Sequence, residues 1–364
     1  MNNPAADKPK ALIAMSGGVD SSVAALLMAR QGYDCLGVTL KLFENEDLGL
    51  GWDRSCCSLK DAQDAREAAL KLGIEHRILN FNRLFREKVM DNFVEEYAQG
   101  RTPNPCIACN RFLKFGALIE WAASQGRDLV VTGHYAQIEK DRASGRFLLK
   151  KGQDPAKDQS YVLYAMTQGQ LKSVMFPLGG MEKREVRALA ESRGLGNAGK
   201  QESQDICFVP SGHYGEFIRG YSGRDFPPGN FVDPGGKILG HHRGIIFYTL
   251  GQRRGLKIAL NKPVYVAAIK PETNEVVLCE DEGLFSKTLF AEDINLIPFD
   301  TLPGRLKLKA KIRYRQAEQP ATVEQTDSSC LRVEFEEPQR AITPGQALAL
   351  YDGPWVVGGG TIRG

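Results

Sequence analysis

The sequence predicts an α/β protein that begins with a doubly wound parallel sheet and ends in an all-β region. Up to about residue 213, short apolar runs alternate with amphipathic helical patterns, as in successive βαβ units. Beyond that point, strand-like runs are separated by turns rich in Gly and Pro, which is typical of a small barrel. We therefore expect a domain boundary near residue 213.

Bulk composition excludes several classes of protein. A chain of 364 residues exceeds one ordinary core, and its 42% apolar and 25% charged residues are typical of a globular protein. No transmembrane segment or signal-peptide core is recognisable, so we expect a cytoplasmic protein without a membrane partner. In that compartment the eight cysteines are expected to be thiols rather than structural disulfides. The net charge of +3 does not indicate a ligand.

The predicted elements follow one another regularly along the chain. In the first part we expect strands at 10–15, 35–42, 76–81 and from 128, and helices at 21–31, 59–72, up to about 97, and 112–123. In the second part we expect strands at 262–269, 274–280, 305–315, 330–338, 346–353 and 356–362. Ligands of parallel α/β sheets bind at the carboxyl ends of the strands, so the site is expected there.

A glycine-rich motif, SGGVDSS, lies between the first strand and the first helix. Its backbone N–H groups can surround phosphate oxygens at a helix N-terminus. The motif lacks the GK[ST] ending of a Walker A loop. We interpret it as a phosphate-binding loop, the alternative being a βα turn without a ligand.

Three cysteines are candidates for chemistry. Cys106 and Cys109 form CIAC in the segment TPNPCIACN, just before a predicted helix, where a helix N-terminus would lower the pKa of a thiol. Cys207 lies in DICF, near the expected domain boundary. A structural zinc site is the alternative, but it would also need Cys207 together with Cys56 or Cys57.

A basic pattern marks the predicted strand at 305–315, RLKLKAKIRYR. Every odd position is Lys or Arg and most even positions are apolar, so a strand would place six cations on one face. A charged edge strand that prevents aggregation needs fewer lysines. The pattern therefore favours contact with nucleic-acid phosphates.

The motifs SGGVDSS, GRTPNPCIACN, TGHYA, KDQSYVLY, DICF, TLGQRRGL, RYRQ and TPGQ occur in this order. The set resembles that of the tRNA-specific 2-thiouridylases, a family of N-type ATP pyrophosphatases, over almost the whole chain. The resemblance implies an adenylating α/β domain at residues 1–213, a central β-rich domain at 214–288 and a tRNA-contacting β-barrel at 289–364. It also implies an enzyme that uses ATP and Mg²⁺ to thiolate the wobble uridine of tRNA at C2.

The resemblance also assigns individual residues. Cys109 corresponds to the family's nucleophile and Cys207 to its persulfide-bearing cysteine. The positions that correspond to the ATP site are Ala14, Met15, Ser16, Gly17, Gly18, Val19, Asp20, Ser21, Leu40 and Gly133. Those that correspond to tRNA contacts are Asn104, Pro105, His134, Lys157, Asp158, Gln159, Arg313, Tyr314 and Gln346. A cysteine desulfurase or a sulfur-relay protein is implied as the sulfur donor.

One position departs from the family pattern. Many members carry Asp where this chain has Cys106, and a thiol cannot replace a carboxylate as a hydrogen-bond acceptor. Cys106, Cys109 and Cys207 could together bind a 4Fe-4S cluster, as in some other tRNA thiolases. Persulfide chemistry and cluster chemistry both stay open from the sequence. So do another adenylating pyrophosphatase and a non-enzymatic RNA-binding module.

Overall fold

The computed structural model describes residues 8–44, 59–195, 206–209 and 212–364. The first sheet has five parallel strands in the order β3-β2-β1-β4-β7, so the chain winds outward in both directions from β1. Its strands are β1 (Lys10–Ala14), β2 (Asp34–Lys41), β3 (Glu75–Asn80), β4 (Leu129–Val131) and β7 (Val174–Met175). This confirms the doubly wound parallel sheet expected from the sequence.

Successive side chains of a strand point to opposite faces of the sheet, so both faces of this sheet carry apolar residues and both are covered. On one face, Ala11 and Ile13 of β1 pack against α1 (Val19–Arg30), α2 (Leu59–Lys71) and α8 (Lys183–Ser192). On the other face, Leu12 packs in a cluster that includes residues of the C-terminal barrel. The barrel therefore shares a core with the first sheet.

A group of helices lies between β3 and β4. They are α3 (Asn82–Phe85), a π-helical turn (Arg86–Met90), α4 (Asp91–Ala98), α5 (Pro105–Ala108), a π-helix (Cys109–Ala117) and α6 (Leu118–Ser124). Since the last three are continuous, the helix predicted at 112–123 in fact begins at Pro105. The proline provides the first residue, where its missing N–H costs nothing.

A hairpin and a short helix in the first 213 residues were not predicted from the sequence. The hairpin consists of β5 (Ala136–Lys140) and β6 (Phe147–Lys151), and the helix is α7 (Gln168–Lys172). Strand β6 pairs with the last strand of the chain, so the hairpin extends the C-terminal sheet.

The central region contains one helix that the sequence reading did not predict, α9 (Tyr214–Ser222). It was missed because a short segment with two glycines gives little helical periodicity, although Phe217 and Ile218 are buried. Four strands follow in the order β10-β11-β8-β9. Their bounds are β8 (Gly229–Val232), β9 (Ile238–His242), β10 (Tyr265–Lys270) and β11 (Glu275–Cys279).

Six strands at the C-terminus form a closed barrel in the order β12-β15-β14-β13-β16-β17, and pairing of β12 with β17 completes it. Their bounds are β12 (Phe285–Leu296), β13 (Leu306–Lys311), β14 (Gln319–Asp327), β15 (Cys330–Arg340), β16 (Ala347–Asp352) and β17 (Trp355–Ile362). Closure leaves no free sheet edge in the barrel itself. The barrel predicted from the sequence is confirmed.

Among the helices in the described ranges, none combines the length and the apolar character needed to cross a membrane.

Candidate active site

The carboxyl ends of β1, β2 and β4 face a cavity of about 370 Å³. The π-helix Cys109–Ala117 and residues 206–209 provide much of the opposite wall. The predicted site residues that line it are Ala14, Met15, Ser16, Asp20, Ser21, Leu40, Pro105, Cys106, Cys109, Gly133, His134, Gln159 and Cys207. The structure thus brings the phosphate loop and all three candidate cysteines to one cavity.

The phosphate loop is held in shape by its own hydroxyl groups. The backbone N–H of Ser16 donates to Ser21 Oγ at 3.1 Å, and Ser21 Oγ donates to the carbonyl of Gly18 at 3.1 Å. Gly17 has φ +76°, and a Cβ there would lie 2.2 Å from the backbone oxygen of Asp61. Only glycine fits this turn, which leads through Gly18 into the first residue of α1, Val19.

The carboxylate of Asp20, inside the motif, is bound by two residues far away in sequence. The buried Lys183 ammonium, at the start of α8, lies 2.7 and 2.8 Å from its two oxygens. The Tyr135 hydroxyl donates to the same carboxylate at 2.7 Å. Neither residue was predicted from the sequence. Lys183 thus offsets the negative charge of Asp20, which would otherwise repel phosphates bound at the loop.

Gly133, after β4, allows the strand end to approach this loop closely. A Cβ at Gly133 would lie 2.8 Å from the backbone carbon of Asp20 and 2.9 Å from the nitrogen of Ser21. On the other side, Thr39 Oγ1 donates to the Met15 carbonyl at 2.7 Å. The loop is therefore enclosed between the ends of β2 and β4.

The environment of Cys109 differs from the one predicted. The cap of the helix is Asn104, whose side-chain oxygen accepts from the Cys106 N–H at 3.2 Å, so Cys109 lies one turn inside the helix. Cys109 is only 8% exposed, and this burial raises the pKa of its thiol although Lys114 acts in the opposite direction. The expectation of a lowered pKa for Cys109 is wrong because desolvation outweighs the favourable charge.

Lys114 and His134 lie near Cys109 on the cavity wall. In a π-helix hydrogen bonds run to the fifth residue along, so Cys109 and Lys114 fall on similar faces, and the sequence alone gave no sign of this. His134 is buried, with Nδ1 2.7 Å from Thr132 Oγ1, and burial together with Lys114 holds its pKa well below the usual value. His134 is therefore a neutral imidazole at physiological pH.

The three candidate thiols do not form a metal-binding group. Within the described ranges, no three His, Cys, Asp or Glu side chains are placed so that they could hold a metal ion, and Cys106 is exposed whereas Cys109 is buried. No disulfide joins any cysteines that the structure describes. The arrangement does not fit a cluster held by all three. Cys56 and Cys57, which a zinc site would have required, lie outside the described residues.

Other predicted tRNA-contact residues lie away from this cavity, where the first domain meets the barrel. Asp158 accepts from the N–H groups of Gly152 and Ser160, at 2.9 and 3.1 Å. Tyr314 Oη donates to the Asp158 carbonyl at 3.3 Å, and Lys157 is half-buried beside it. Arg313 and Gln346 line a second cavity, of about 500 Å³. The structure thus divides the predicted tRNA-contact residues among the first cavity, the contact around Asp158 and the second cavity.

The basic segment at 305–315 only partly matches its prediction. The strand β13 ends at Lys311, and the alternation of side chains breaks soon after, where Tyr314 and Arg315 are both exposed. Lys307 and Lys309 are exposed, whereas Lys311 and Arg313 are half-buried. The expectation of six cations on one face is therefore wrong, because the chain turns after Lys311.

Three regions of the chain match known family models, in the order of the parallel sheet, the central strands and the barrel. Three family models match in succession: "tRNA methyl transferase HUP domain" at residues 9–211, "tRNA methyl transferase PRC-barrel domain" at 215–280 and "Aminomethyltransferase beta-barrel domain" at 286–362. Among solved structures, a 4-thiouridine synthetase in complex with RNA and ATP is 20% identical, with a TM-score of 0.36, over 56% of this chain and 45% of that one.

Curated relatives match along nearly the full length. A tRNA-specific 2-thiouridylase MnmA of Carboxydothermus hydrogenoformans is 49% identical over 98% of both chains. One of Clostridioides difficile is 48% identical over 97% of this chain and 98% of the relative. One of Moorella thermoacetica is 49% identical over 97% of this chain and 99% of the relative. The chain therefore belongs to the tRNA-specific 2-thiouridylase family.

Proposed function

We propose that the protein is an ATP-dependent tRNA sulfurtransferase that replaces the C2 oxygen of the wobble uridine with sulfur. The observation that carries the proposal is the single cavity that contains both the phosphate loop and the cysteines Cys109 and Cys207. A loop that binds phosphates and a pair of thiols are needed together only if activation and sulfur transfer occur at the same substrate atom.

ATP would bind with its phosphates on the loop from Ala14 to Ser21 and its nucleoside near Leu40 and Gly133. Mg²⁺ usually reaches such sites with the phosphates and takes one or two carboxylates from the protein. Asp61 lines the cavity and would supply such a carboxylate, whereas the carboxylate of Asp20 is already bound by Lys183 and Tyr135. The ion would offset charge on the transferring phosphate.

The chemistry divides into an activation step and a transfer step. The uracil C2 oxygen attacks the α-phosphate of ATP, pyrophosphate leaves, and the N3 proton passes to solvent. The terminal sulfur of a persulfide on Cys207 then attacks C2, and the C2–O bond breaks to release AMP. Adenylation is required because oxygen bound to C2 is otherwise a poor leaving group.

Release of the product uses the second thiol. The Cys109 thiolate attacks Cys207 Sγ, the bond between that atom and the transferred sulfur breaks, and its electron pair stays on that sulfur. N3 takes a proton from solvent as the C2 thiocarbonyl forms. A disulfide between Cys109 and Cys207 is left, and a dithiol reductant returns it to two thiols. A persulfide-bearing donor protein then supplies the next sulfur to Cys207.

The rest of the molecule would hold tRNA. Pro105 and His134 line the cavity and, with the capping residue Asn104, would contact the target base. Residues 157–159 and the barrel residues Arg313, Tyr314 and Gln346 would form the remaining contacts. We propose domain limits of 1–213, 214–288 and 289–364, and a cytoplasmic location where tRNA and ATP are both present.

The decisive experiment measures pyrophosphate release from ATP with and without unmodified tRNA. The proposal predicts release that depends on tRNA and one thiolated uridine per pyrophosphate at saturating persulfide donor. Release that depends on a small amide-forming substrate would indicate another adenylating enzyme. Binding of tRNA without any release would indicate a non-enzymatic RNA-binding module.

A matched pair of variants tests the sulfur chemistry. Cys106→Ser should retain thiolation when a persulfide donor is supplied, because the two-cysteine scheme does not use Cys106, whereas Cys109→Ser should lose it. Iron and sulfide would be counted in anaerobically purified wild type and Cys106→Ser. Activity that requires iron, and that is lost equally in both variants, would overturn the persulfide scheme.

A further inference from the structure

A turn of the barrel packs directly against the segment that leads to the cysteines. The turn, residues 343–346 (TPGQ), connects β15 to β16, and Gly345 has φ +85°. A Cβ at Gly345 would lie 3.0 Å from the backbone nitrogen of Thr102 and 3.1 Å from Cβ of Arg101. The close approach and the positive φ both require glycine here.

Three hydrogen bonds join the turn to the segment. Gln346 Nε2 donates to the carbonyl of Thr102 at 2.7 Å and to that of Pro103 at 3.3 Å. In the other direction, the N–H of Thr102 donates to the Pro344 carbonyl at 2.8 Å. An amide NH₂ group has only two donor hydrogens, so both donors of Gln346 are used by this backbone.

The turn itself is fixed to the barrel. The N–H of Gly345 donates to the Ile362 carbonyl at 2.9 Å, and the N–H of Ile362 donates to the Gln346 carbonyl at 2.8 Å. Movement of the turn would therefore require movement of the barrel's last strand, β17. The position of the barrel is thus transmitted rigidly to Thr102 and Pro103.

From Thr102 the chain has little freedom before it reaches Cys109. Pro103 and Pro105 fix two backbone φ angles, and Asn104 caps the helix through the N–H of Cys106. A displacement at Thr102 therefore moves the start of the helix and, one turn later, the nucleophile. Thr102 Oγ1 is buried without a hydrogen-bond partner among the described residues, so the Thr102 side chain adds no hydrogen bond to those from the turn.

We propose that the TPGQ turn positions the segment that carries Cys109, and that Gln346 does so through the carbonyls of Thr102 and Pro103, in addition to any contact its side-chain oxygen makes with tRNA. Gln346 is then a positioning residue. Docking of tRNA on the barrel and alignment of Cys109 are coupled through this contact. The inference rests on the proposed role of Cys109 as nucleophile.

The test compares two variants of the turn with a matched control. Gln346→Glu removes both donors, and Gly345→Ala adds a Cβ against Thr102. Gln325→Glu is the control, because Gln325 lies in the same barrel and its side-chain oxygen accepts from the Leu302 N–H, a bond that glutamate preserves. Single-turnover thiolation, tRNA-dependent pyrophosphate release and the Kd for tRNA are measured for each.

Both turn variants should slow thiolation at saturating tRNA by roughly ten- to a hundredfold, since a displacement of about 1 Å can cost that much. Pyrophosphate release should fall less than thiolation, since adenylation does not use Cys109, and the Kd for tRNA should change less than about threefold, since most of the proposed tRNA contacts lie outside this segment. If Gln346→Glu does not fold, Gln346→Met replaces it, because it removes the donors without adding charge. Thiolation that recovers at high tRNA concentration would overturn the inference and return Gln346 to a direct tRNA contact.

Failure of the proposed function is distinguishable from failure of this inference. If wild type shows no thiolation, alkylation of the exposed Cys106 gives a readout that needs neither ATP nor tRNA. The inference predicts that Gln346→Glu changes the alkylation rate of Cys106 and Gln325→Glu does not. An identical Cys106 rate in wild type and both turn variants would overturn it.

Discussion

The phosphate loop and the basic segment 305–315 differ in what fixes their geometry. The loop closes between Ala14 and Val19 through bonds among its own residues, such as Ser21 to Gly18. The basic segment depends on where β13 ends, which its pairing with β14 and β16 decides. A pattern whose geometry is fixed locally can be read from sequence more safely than one fixed by distant strands.

The side chains of the two regions show the same difference. In the loop, Asp20 lines the cavity at the carboxyl ends of the strands, where the site was expected. In the basic segment, Arg313 turns inward and its Nη2 donates to the Ala341 carbonyl at 2.6 Å. Burial and the neighbouring Arg340 lower the pKa of the Arg313 guanidinium. Arg313 thus joins the turn after β13 to the turn after β15, as well as adding local charge.

The largest effect is expected from Asp20→Ala in the loop. The change removes the carboxylate that binds Lys183 and Tyr135 and leaves a buried ammonium without its partner. We expect pyrophosphate release to fall by about a hundredfold or more, with the Kd for tRNA nearly unchanged. Normal thiolation by Asp20→Ala would show that the loop does not handle ATP.

A smaller effect is expected from Lys183→Met, which tests whether ATP binding at the loop depends on a residue that is distant in sequence. Without Lys183, the charge of Asp20 would repel the phosphates, so the KM for ATP should rise roughly tenfold and kcat should fall less. Arg187→Gln, an exposed change on the same helix, is the control. Lys183→Arg should restore part of the affinity.

A double variant separates two roles of Lys183. If Lys183 acts only by neutralising Asp20, adding Asp20→Asn to Lys183→Met should recover ATP affinity relative to Lys183→Met alone. If Lys183 contacts the phosphates directly, the double variant should bind ATP no better. An unchanged KM in Lys183→Met itself would contradict both roles.

Some features of the molecule were predictable from the sequence and others were not. The parallel sheet, the barrel and the loop were predicted because each has a periodic or glycine-marked pattern. Lys183 was missed because it lies far from the loop in sequence, at the start of a helix with no motif of its own. The hairpin from Ala136 to Lys151 was missed because its role, pairing with β17, depends on a contact more than two hundred residues away.

The segment that carries Cys106 and Cys109 was predicted in part. Its CxxC spacing and its place on the cavity wall followed from the sequence, but the charge state of Cys109 did not. A helix N-terminus lowers a thiol pKa only near the first turn and only where water or charge can reach the sulfur. The helix begins earlier than predicted and buries Cys109, so two local rules gave opposite answers and burial decided the outcome.

The smallest effect is expected in the basic segment, where the structure redirects the experiment to Lys307 and Lys309. Both lysines are exposed and can contact phosphates. Lys311 and Arg313 are half-buried, and Arg313 donates a hydrogen bond to the Ala341 carbonyl. Lys307→Ala with Lys309→Ala should weaken tRNA binding several-fold and reduce the slope of log K against log salt. The expected loss is about 0.7 to 0.9 for each phosphate contact removed.

The control for this last prediction is the pair Lys172→Ala with Arg187→Ala, two exposed cations outside the barrel. It removes the same net charge, so a general loss of attraction would affect both pairs equally. A smaller slope only in the Lys307 and Lys309 pair would identify β13 as a phosphate-binding strand. Equal slopes in both pairs would mean that these lysines only keep the barrel surface soluble, and that tRNA is held elsewhere, by residues such as those around Asp158.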